Sequence, residues 1–154
     1  MVVVTLFIFF RCFISGRTKH YINVFGEELM VENADQALSR VCQEMHLEVL
    51  EYTAAPVYME ANTKGGHEWI IELAHSPDNP QEFTQKLDQY LREINSDYDA
   101  KRHKDLALQM PQIHFCQRGT FMTWLRKNEK LGGQHKVPRL SNERKLLEEI
   151  MAEL

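Results

Sequence analysis

The sequence is poor in the residues that build cross-linked folds. Its 154 residues contain only three cysteines, at positions 12, 42 and 116. They are odd in number, far apart and in no CxxC spacing, which argues against a disulfide framework or a zinc site and favours a reducing cytoplasm. His114 and Cys116 share one face of a predicted strand, but the neighbouring sequence offers no further metal ligand. We therefore expect no metal site.

An excess of positive charge and long apolar runs are also absent. The 18 Lys and Arg residues against 22 Asp and Glu give a net charge of −4, so bulk charge does not suggest a nucleic-acid partner. No stretch reaches the roughly 18–20 apolar residues of a membrane-spanning helix, and we expect no membrane association. A composition of 44% hydrophobic and 26% charged residues at this length is typical of one soluble domain.

The first fourteen residues, MVVVTLFIFFRCFI, are almost without polar side chains. A signal peptide is one interpretation, but the segment lacks a basic start and the SGR that follows is a poor cleavage site. We favour a buried β-strand rich in Val, Ile and Phe, at least over residues 9–15. The chain then divides into an atypical apolar segment, residues 1–8, and one domain, residues 9–154.

Hydrophobic periodicity predicts helices and strands along the rest of the chain. Apolar residues at helical spacing predict helices over residues 33–46, with Asn33 as the cap, and over residues 81–94. Runs rich in Val, Tyr and Ile predict a hairpin of strands at 47–59 and 67–74. The other predicted elements are a short strand ending near residue 24, a helix or ordered loop at 95–104, a strand at 106–117, and helices after residues 119 and 141. This order predicts an α+β fold, a mixed β-sheet with amphipathic helices packed mainly on one face.

Two polar segments between these elements are candidates for binding chemistry. In GRTK, residues 16–19, the glycine leaves the backbone open and Arg17 offers a planar fork of donors to phosphate or ribose oxygens. A basic turn before a strand would have the same composition. The block NSDYDAKR, residues 95–102, has acidic and basic residues at i, i+4 spacing and equally fits a solvated helix end. Spacing alone assigns no function to either segment.

A third segment, GGQHKVPR at residues 132–139, presents a lysine on a loop. Two glycines make such a loop mobile, and the compact charge of Lys136 suits delivery to a phosphate or carboxylate. An exposed connector between two helices is the alternative interpretation of the same residues.

Together these segments resemble one protein family. GRTKHYINVFGEEL at residues 16–29, NSDYDAKR at 95–102, GTFMTWL at 119–125 and LGGQHKVPRLSNER at 131–144 follow its order and spacing. The chain thus resembles the C-terminal domain of the Gretchen Hagen (auxin-responsive promoter) family of acyl acid–amido synthetases, which belong to the adenylate-forming class. The motifs are long and non-repetitive, and the resemblance covers roughly residues 11–154.

The resemblance implies part of an ATP-dependent, amide-forming ligase. A whole enzyme of this family uses ATP and Mg²⁺ to convert a carboxylic acid into an acyl-adenylate, which an amine or amino acid then attacks with release of AMP. The present chain would be the small domain that closes over a large N-terminal adenylation domain. We expect neither ATP nor Mg²⁺ to bind tightly to this chain alone.

The resemblance also implies roles for particular residues. Lys136 matches the family's C-terminal lysine and is expected to be catalytic, stabilising charge that develops on the α-phosphate. Arg17 matches the arginine of the hinge-proximal motif and, with Lys19 beside it, is expected to contact the nucleotide. Arg139 is expected to touch phosphate or to position the Lys136 loop. The block at 95–98 is expected to hold the fold or to shape the acceptor-side surface.

The sequence departs from the family at its beginning. It contains no Ser/Thr/Gly-rich phosphate loop, and residues 1–8 contain no acidic residue where an acidic ribose-binding motif is expected. We interpret the chain as a C-terminal domain fragment that is inactive alone. A non-catalytic binding or regulatory module and a gene remnant with the same fold are the alternatives.

The isolated chain is therefore expected to catalyse no ATP–pyrophosphate exchange with any carboxylic acid, because most of the ATP site would lie in the large domain. Incorporation of labelled pyrophosphate into ATP measures the reaction, with an intact related synthetase as the positive control. Exchange above the enzyme-free blank would contradict the fragment interpretation.

Overall fold

The computed structural model describes residues 21–59, 64–103, 107–128 and 136–154. Its elements are β1 (Tyr21–Ile22), β2 (Leu29–Met30), α1 (Val31–Met45), β3 (Val49–Val57), β4 (Gly66–Leu73), α2 (Pro80–Ile94), α3 (Ser96–Arg102), β5 (Gln112–Cys116), α4 (Thr120–Lys127) and α5 (Lys145–Met151). The apolar segment at residues 1–8 and the strand predicted at residues 9–15 lie outside the described residues. None of the described helices is both long and apolar enough to cross a bilayer.

The main sheet contains three strands in the order β3–β4–β5. Ala54 of β3 lies opposite Trp69 in an antiparallel pair, and Ile113 of β5 lies opposite Trp69 in a parallel one. The predicted hairpin and the mixed sheet are therefore confirmed. Strand β5 begins six residues later than the predicted strand at 106–117. It follows Pro111, which has no N–H to donate to a ladder.

A second, two-stranded sheet precedes α1. The short strand predicted to end near residue 24 is its β1, whereas β2 and the pairing of the two strands were not predicted. Tyr21 pairs with Met30 across a turn in which Gly26 has a φ of 79°. Each strand has only two residues, too few for a periodic signal. Helix α1 follows directly from β2 and begins at Val31, so Met30 stands at the N-cap position that was predicted for Asn33. Asn33 lies inside the first turn, where its Oδ1 accepts a 3.0 Å hydrogen bond from the Met30 N–H.

Capping residues also set the starts of α2 and α3. Asn79 Oδ1 accepts from the Glu82 N–H at 3.1 Å, and Pro80 occupies the first helical position, where no N–H is required. Asn95 ends α2 and caps α3, since its Oδ1 accepts from the Tyr98 N–H at 2.8 Å. The block at 95–102 is thus a short helix rather than a loop.

Helices cover both faces of the main sheet, because side chains alternate along each strand. Tyr52, Trp69 and Ile71 point toward the layer formed by α1, α2 and α3. Their buried partners there are Ala34, Ala37, Leu38, Val41, Phe83, Leu87, Leu91 and Tyr98. This layer contains both 15-residue helices, which confirms the prediction of a helical layer mainly on one face.

A smaller layer formed by α4 and α5 covers the opposite face. Ile70 and Ala55 pack there against Phe121, Trp124, Leu147 and Ile150. A helical layer on this face was not predicted from the sequence. Each of the two helices fully buries only two residues, and Leu125, Leu146 and Met151 pack partly buried against the same cluster.

A buried ion pair joins α2 to α3. Arg102 donates from Nε and Nη2 to the two carboxylate oxygens of Asp88 at 2.6 and 2.8 Å, and from Nη1 to the Leu108 carbonyl at 2.9 Å. The Tyr98 hydroxyl donates to Asp88 at 2.8 Å. Burial and the charge of Asp88 raise the pKa of Tyr98, which keeps this hydroxyl protonated. Burial of the two charges is tolerated because both are paired and hydrogen-bonded.

A second buried network ties the β1–β2 turn to the sheet. Glu27 is fully buried, with Oε1 2.8 Å from His67 Nε2 on β4 and Oε2 accepting from the Phe25 N–H at 2.7 Å. Asn95 Nδ2 donates to the Glu27 carbonyl at 3.1 Å. The expectation that residues 95–98 hold the fold is thus confirmed for Asn95, as it is for Tyr98 in the ion pair above. Gly65 completes the junction, since a Cβ there would overlap the Phe25 ring.

Removing one partner of the buried ion pair should strongly destabilise the fold. Asp88→Asn takes the carboxylate from the buried Arg102, and breaking such pairs costs about 3–5 kcal/mol. Asp99→Asn is the control, because its pair with Arg92 is 42–49% exposed and a surface pair contributes about 0–1 kcal/mol. Urea unfolding measures both, and equal losses would show that the buried pair is not special.

The Glu27–His67 contact predicts a loss of stability in acid. Burial alone would raise the pKa of Glu27, but the hydrogen bond and charge of His67 hold it below the ordinary value of 4.5. A carboxyl with a lower pKa in the folded state stabilises the fold above its unfolded pKa, and this contribution disappears as the pH falls through the folded pKa. The stability advantage of the wild type over Glu27→Gln should therefore shrink below about pH 4.5.

Urea unfolding at a series of pH values from 7 to about 3 tests this linkage. Glu32→Gln, a change at an exposed carboxyl on α1, is the control and should keep the pH dependence of the wild type. A constant difference between the wild type and Glu27→Gln at all pH values would refute the prediction.

Candidate functional site

Lys136 stands at the start of the last described segment, with its side chain exposed. It lines a cleft of about 340 Å³ together with residues of α4, α5 and the connection between them, namely Trp124, Pro138, Ser141, Glu143, Lys145, Leu146 and Glu149. Within the described part of the chain, its ammonium group has no hydrogen-bond or ion-pair partner. The cation is therefore available to a ligand without breaking a described contact.

The chain just beyond Lys136 is attached to the free edge of β3. The Ala54 N–H donates to the Arg139 carbonyl at 2.8 Å, and the Ser141 N–H donates to the Ala54 carbonyl at 3.1 Å. These two bonds place Leu140 opposite Ala54 in a single parallel bridge. This region was predicted to be a loop, because a single bridge produces no periodic pattern in the sequence.

Side chains of the same segment are buried on both sides of the sheet edge. Val137 packs in the α4–α5 layer, and Leu140 packs in the α1–α2 layer. The Thr53 hydroxyl donates to the Pro138 carbonyl at 2.8 Å. Lys136 is thus an exposed cation next to a firmly held backbone.

Arg139 makes described contacts with α1 and β3. Its Nη1 donates to both carboxylate oxygens of Asp35, at 2.8 and 3.0 Å, and its Cζ lies 5.4 Å from the centroid of the Tyr52 ring. The Tyr52 hydroxyl donates to Asp35 at 2.6 Å. Burial and the Asp35 carboxylate raise the pKa of Tyr52, so the hydroxyl remains a donor. Both expected roles of Arg139, contact with phosphate and positioning of the Lys136 loop, stay predictions.

The two other predicted site residues, Arg17 and Lys19, lie outside the described residues. Their contact with nucleotide stays a prediction, as does the catalytic role of Lys136. The structure therefore brings Lys136 and Arg139 onto one short segment and leaves the first two unplaced.

Glu72 on β4 was missed by the sequence analysis. It is buried on the α4–α5 face, where Oε1 accepts from the Gly119 N–H at 2.8 Å and Oε2 from the Phe121 N–H at 3.3 Å. A carboxylate at a helix N-terminus satisfies free N–H groups and complements the helix dipole. Glu72 thereby fixes α4, and with it Trp124 in the wall of the Lys136 cleft. A glutamate within the apolar run Trp69–Leu73 was the available signal.

Glu68, four residues earlier on the same face, fixes the start of α5. It accepts from Arg144 Nη2 at 2.5 Å and lies 2.8 Å from His114 Nε2. Burial alone would raise the pKa of Glu68, but the hydrogen bonds from Arg144 and His114 hold it below its ordinary value. His114 is thus engaged by a carboxylate. Arg144 also donates to the Pro56 carbonyl at 2.8 Å, which ties α5 to β3.

The described cysteines are not activated as nucleophiles. Cys42 and Cys116 are both free thiols, and burial raises the pKa of each to about 11. Among the described ranges, no three His, Cys, Asp or Glu residues are grouped as a metal site would require.

Comparisons with known proteins agree with the resemblance found in the sequence. The sequence profile of the GH3 family C-terminal domain matches residues 32–145, and no curated protein matches the chain. Two similar solved structures are the AtGH3.15 acyl acid amido synthetase in complex with 2,4-DB (15% identity, TM-score 0.69) and the GH3.15 acyl acid amido synthetase (16% identity, TM-score 0.70).

Each likeness covers 90% of this chain but only 26% and 27% of those two chains. At such identities the structural likeness shows the fold alone, and this chain spans about a quarter of the length of those two proteins. The family profile, in contrast, spans most of the sequence, and the chain therefore belongs to the GH3 family, whose C-terminal domain it carries.

Proposed function

We propose that this domain is the lid of an ATP-dependent acyl acid–amido synthetase, working against a large N-terminal adenylation domain. The substrates would be a carboxylic acid and an amine or amino acid. The observation that carries the proposal is the state of Lys136, an exposed cation without a described partner at the end of a firmly attached segment.

The chemistry of adenylation explains why such a cation is needed. A carboxylate oxygen forms a bond to the α-phosphorus of ATP and pyrophosphate leaves, so an anion must approach an anion. A positive charge about 4 Å from the reacting group contributes roughly 4 kcal/mol at the effective dielectric constant near a protein surface. Lys136 would supply this charge when the domain closes, which would also exclude water.

The cleft beside Lys136 fits a single phosphate contact better than a complete nucleotide site. Two of its lining residues, Glu143 and Glu149, are acidic and would repel phosphate oxygens. ATP, when bound mainly by the large domain, would supply the adenylyl group that activates the carboxylic acid, and Mg²⁺ would accompany it there. This arrangement supports the expectation that the domain alone binds neither tightly.

The distribution of charge along the chain also favours binding of phosphate on the side of the domain that contains Lys136. Residues 21–103, which form the α1–α3 layer and most of the sheet, contain 16 acidic and six basic residues. Residues 104–154, which include the α4–α5 layer and Lys136, contain six acidic and nine basic residues. An anionic ligand is attracted to the second part and repelled by the first.

The proposal also places the enzyme in the cytoplasm. The free thiols of Cys42 and Cys116 support a reducing compartment.

A chimera with the intact large domain of a related GH3 enzyme tests the role of Lys136. Lys136→Ala should slow adenylation about 100- to 1,000-fold, the usual effect of losing one group that stabilises transition-state charge. Aminolysis of a preformed acyl-adenylate should change far less, since the α-phosphate is not attacked in that step. ATP–pyrophosphate exchange measures the first step and rapid-quench analysis the second.

Lys145→Ala is the matched control, because Lys145 is also exposed and lines the same cleft. It should leave both steps close to the wild-type rate. Equal loss of both steps in Lys136→Ala, or equal loss of adenylation in the two variants, would refute the proposed role.

A further inference from the structure

The segment that carries Lys136 is held on two sides by different kinds of contact. Its backbone hydrogen bonds at Arg139 and Ser141 all go to Ala54 on β3. On the α1 side, Leu140 packs in the α1–α2 layer, and the described polar contact is the one between Arg139 and Asp35. Asp35 is therefore the described polar group of α1 that orients the segment about the β3 edge.

The Asp35 carboxylate is itself fixed by a buried residue. It accepts from Arg139 and from the hydroxyl of Tyr52, whose side chain is 2% exposed and stacks on Trp69 at a centroid distance of 5.8 Å. The guanidinium of Arg139 lies over the same Tyr52 ring. An isolated surface ion pair is weak, but the pair between Arg139 and Asp35 is also held by the buried Tyr52, which contacts both partners.

Glu51 is a poor substitute for Asp35. Its Oε1 lies 4.0 Å from Arg139 Nε, beyond hydrogen-bond distance. Burial raises the pKa of Glu51, so its charged form is less favoured. Without Asp35, Arg139 would keep the ring contact but lose the partner that directs it toward α1.

We propose that Asp35 is a positioning residue for Lys136, acting through Arg139. The proposal rests on the proposed function, in which Lys136 meets the α-phosphate. Arg139 is three residues from Lys136, at most about 10 Å of extended chain, so a change at Arg139 is transmitted directly. A displacement of about 1 Å at a catalytic group can cost 100-fold in rate.

Hydrogen exchange in the full chain tests the positioning. In Asp35→Asn, exchange of the Ser141 amide, which bonds to the Ala54 carbonyl, should rise about tenfold, while the amides of the central strand β4 keep wild-type rates. The Arg139 guanidinium should show separate Nη signals by ¹⁵N NMR in the wild type and averaged signals in the variant. Arg139→Gln removes the same contact from the other side and should reproduce the change in exchange.

Glu51→Gln is the matched control, since it also removes a negative charge beside Arg139 but breaks no hydrogen bond to it. It should leave the Ser141 exchange rate and the Arg139 signals unchanged. An equal rise at Ser141 and throughout β4 would mean general destabilisation, and no rise at Ser141 would mean that Asp35 does not hold the segment. Either result would overturn the proposal.

Activity in the chimera separates this proposal from the previous one. Asp35→Asn should lower kcat for adenylation about tenfold and leave the KM for ATP within about twofold, because it misplaces a group needed in the transition state. A wild-type kcat would refute positioning. Full adenylation by Lys136→Ala would refute the proposed function, while the exchange data would still report whether Asp35 holds the segment.

Discussion

The structure depends on strand β4, which has an apolar face and a face with two carboxylates, and each face needs different contacts. Trp69 and Ile71 on one face pack against the large helical layer, whereas the other face carries two carboxylates, the half-buried Glu68 and the buried Glu72. A buried carboxylate is tolerated only if donors reach it. The start of α4 supplies N–H groups to Glu72, and Arg144 at the start of α5 supplies its guanidinium to Glu68. The polar requirements of one strand thus determine where the two C-terminal helices begin.

This arrangement has a direct consequence for the candidate site. The segment that leads into α5 lies along the edge of β3. There Ala54 forms backbone hydrogen bonds with it, and the Thr53 hydroxyl donates to the Pro138 carbonyl. Val137 and Leu140 then enter opposite cores. The adjoining Lys136 is left outside, on a rigid support but without a described partner. A cation that acts on a ligand from another domain needs both properties.

Much of the fold was predictable because its largest elements carry local signals. The two 15-residue helices and the β3–β4 hairpin have strong periodicity, and each was predicted within a few residues. The β1–β2 pair, the bridge at Leu140 and the α4–α5 layer were not, since they depend on contacts between distant residues rather than on a repeating pattern. Glu72 was missed for a similar reason, because a glutamate in a strand has the same appearance whether it faces water or a helix N-terminus. Lys136 was singled out by its family motif, and spacing alone would not have distinguished it from an exposed connector.

Lys136 and Arg139 have different roles in their shared segment because lysine and arginine differ in chemistry. Arginine presents several donors in a plane and stacks well on aromatic rings, and Arg139 uses both features, toward Asp35 and Tyr52. Lysine presents a compact charge on a flexible stem, which suits a single contact with a phosphate oxygen that is present only after closure. With the residue types exchanged, the flexible ammonium would hold the segment less precisely. The planar guanidinium would also lose the aromatic ring on which it rests. The order of Lys before Arg in this segment therefore has a physical reason, which is that the fixed cation has to be the one beside the sheet.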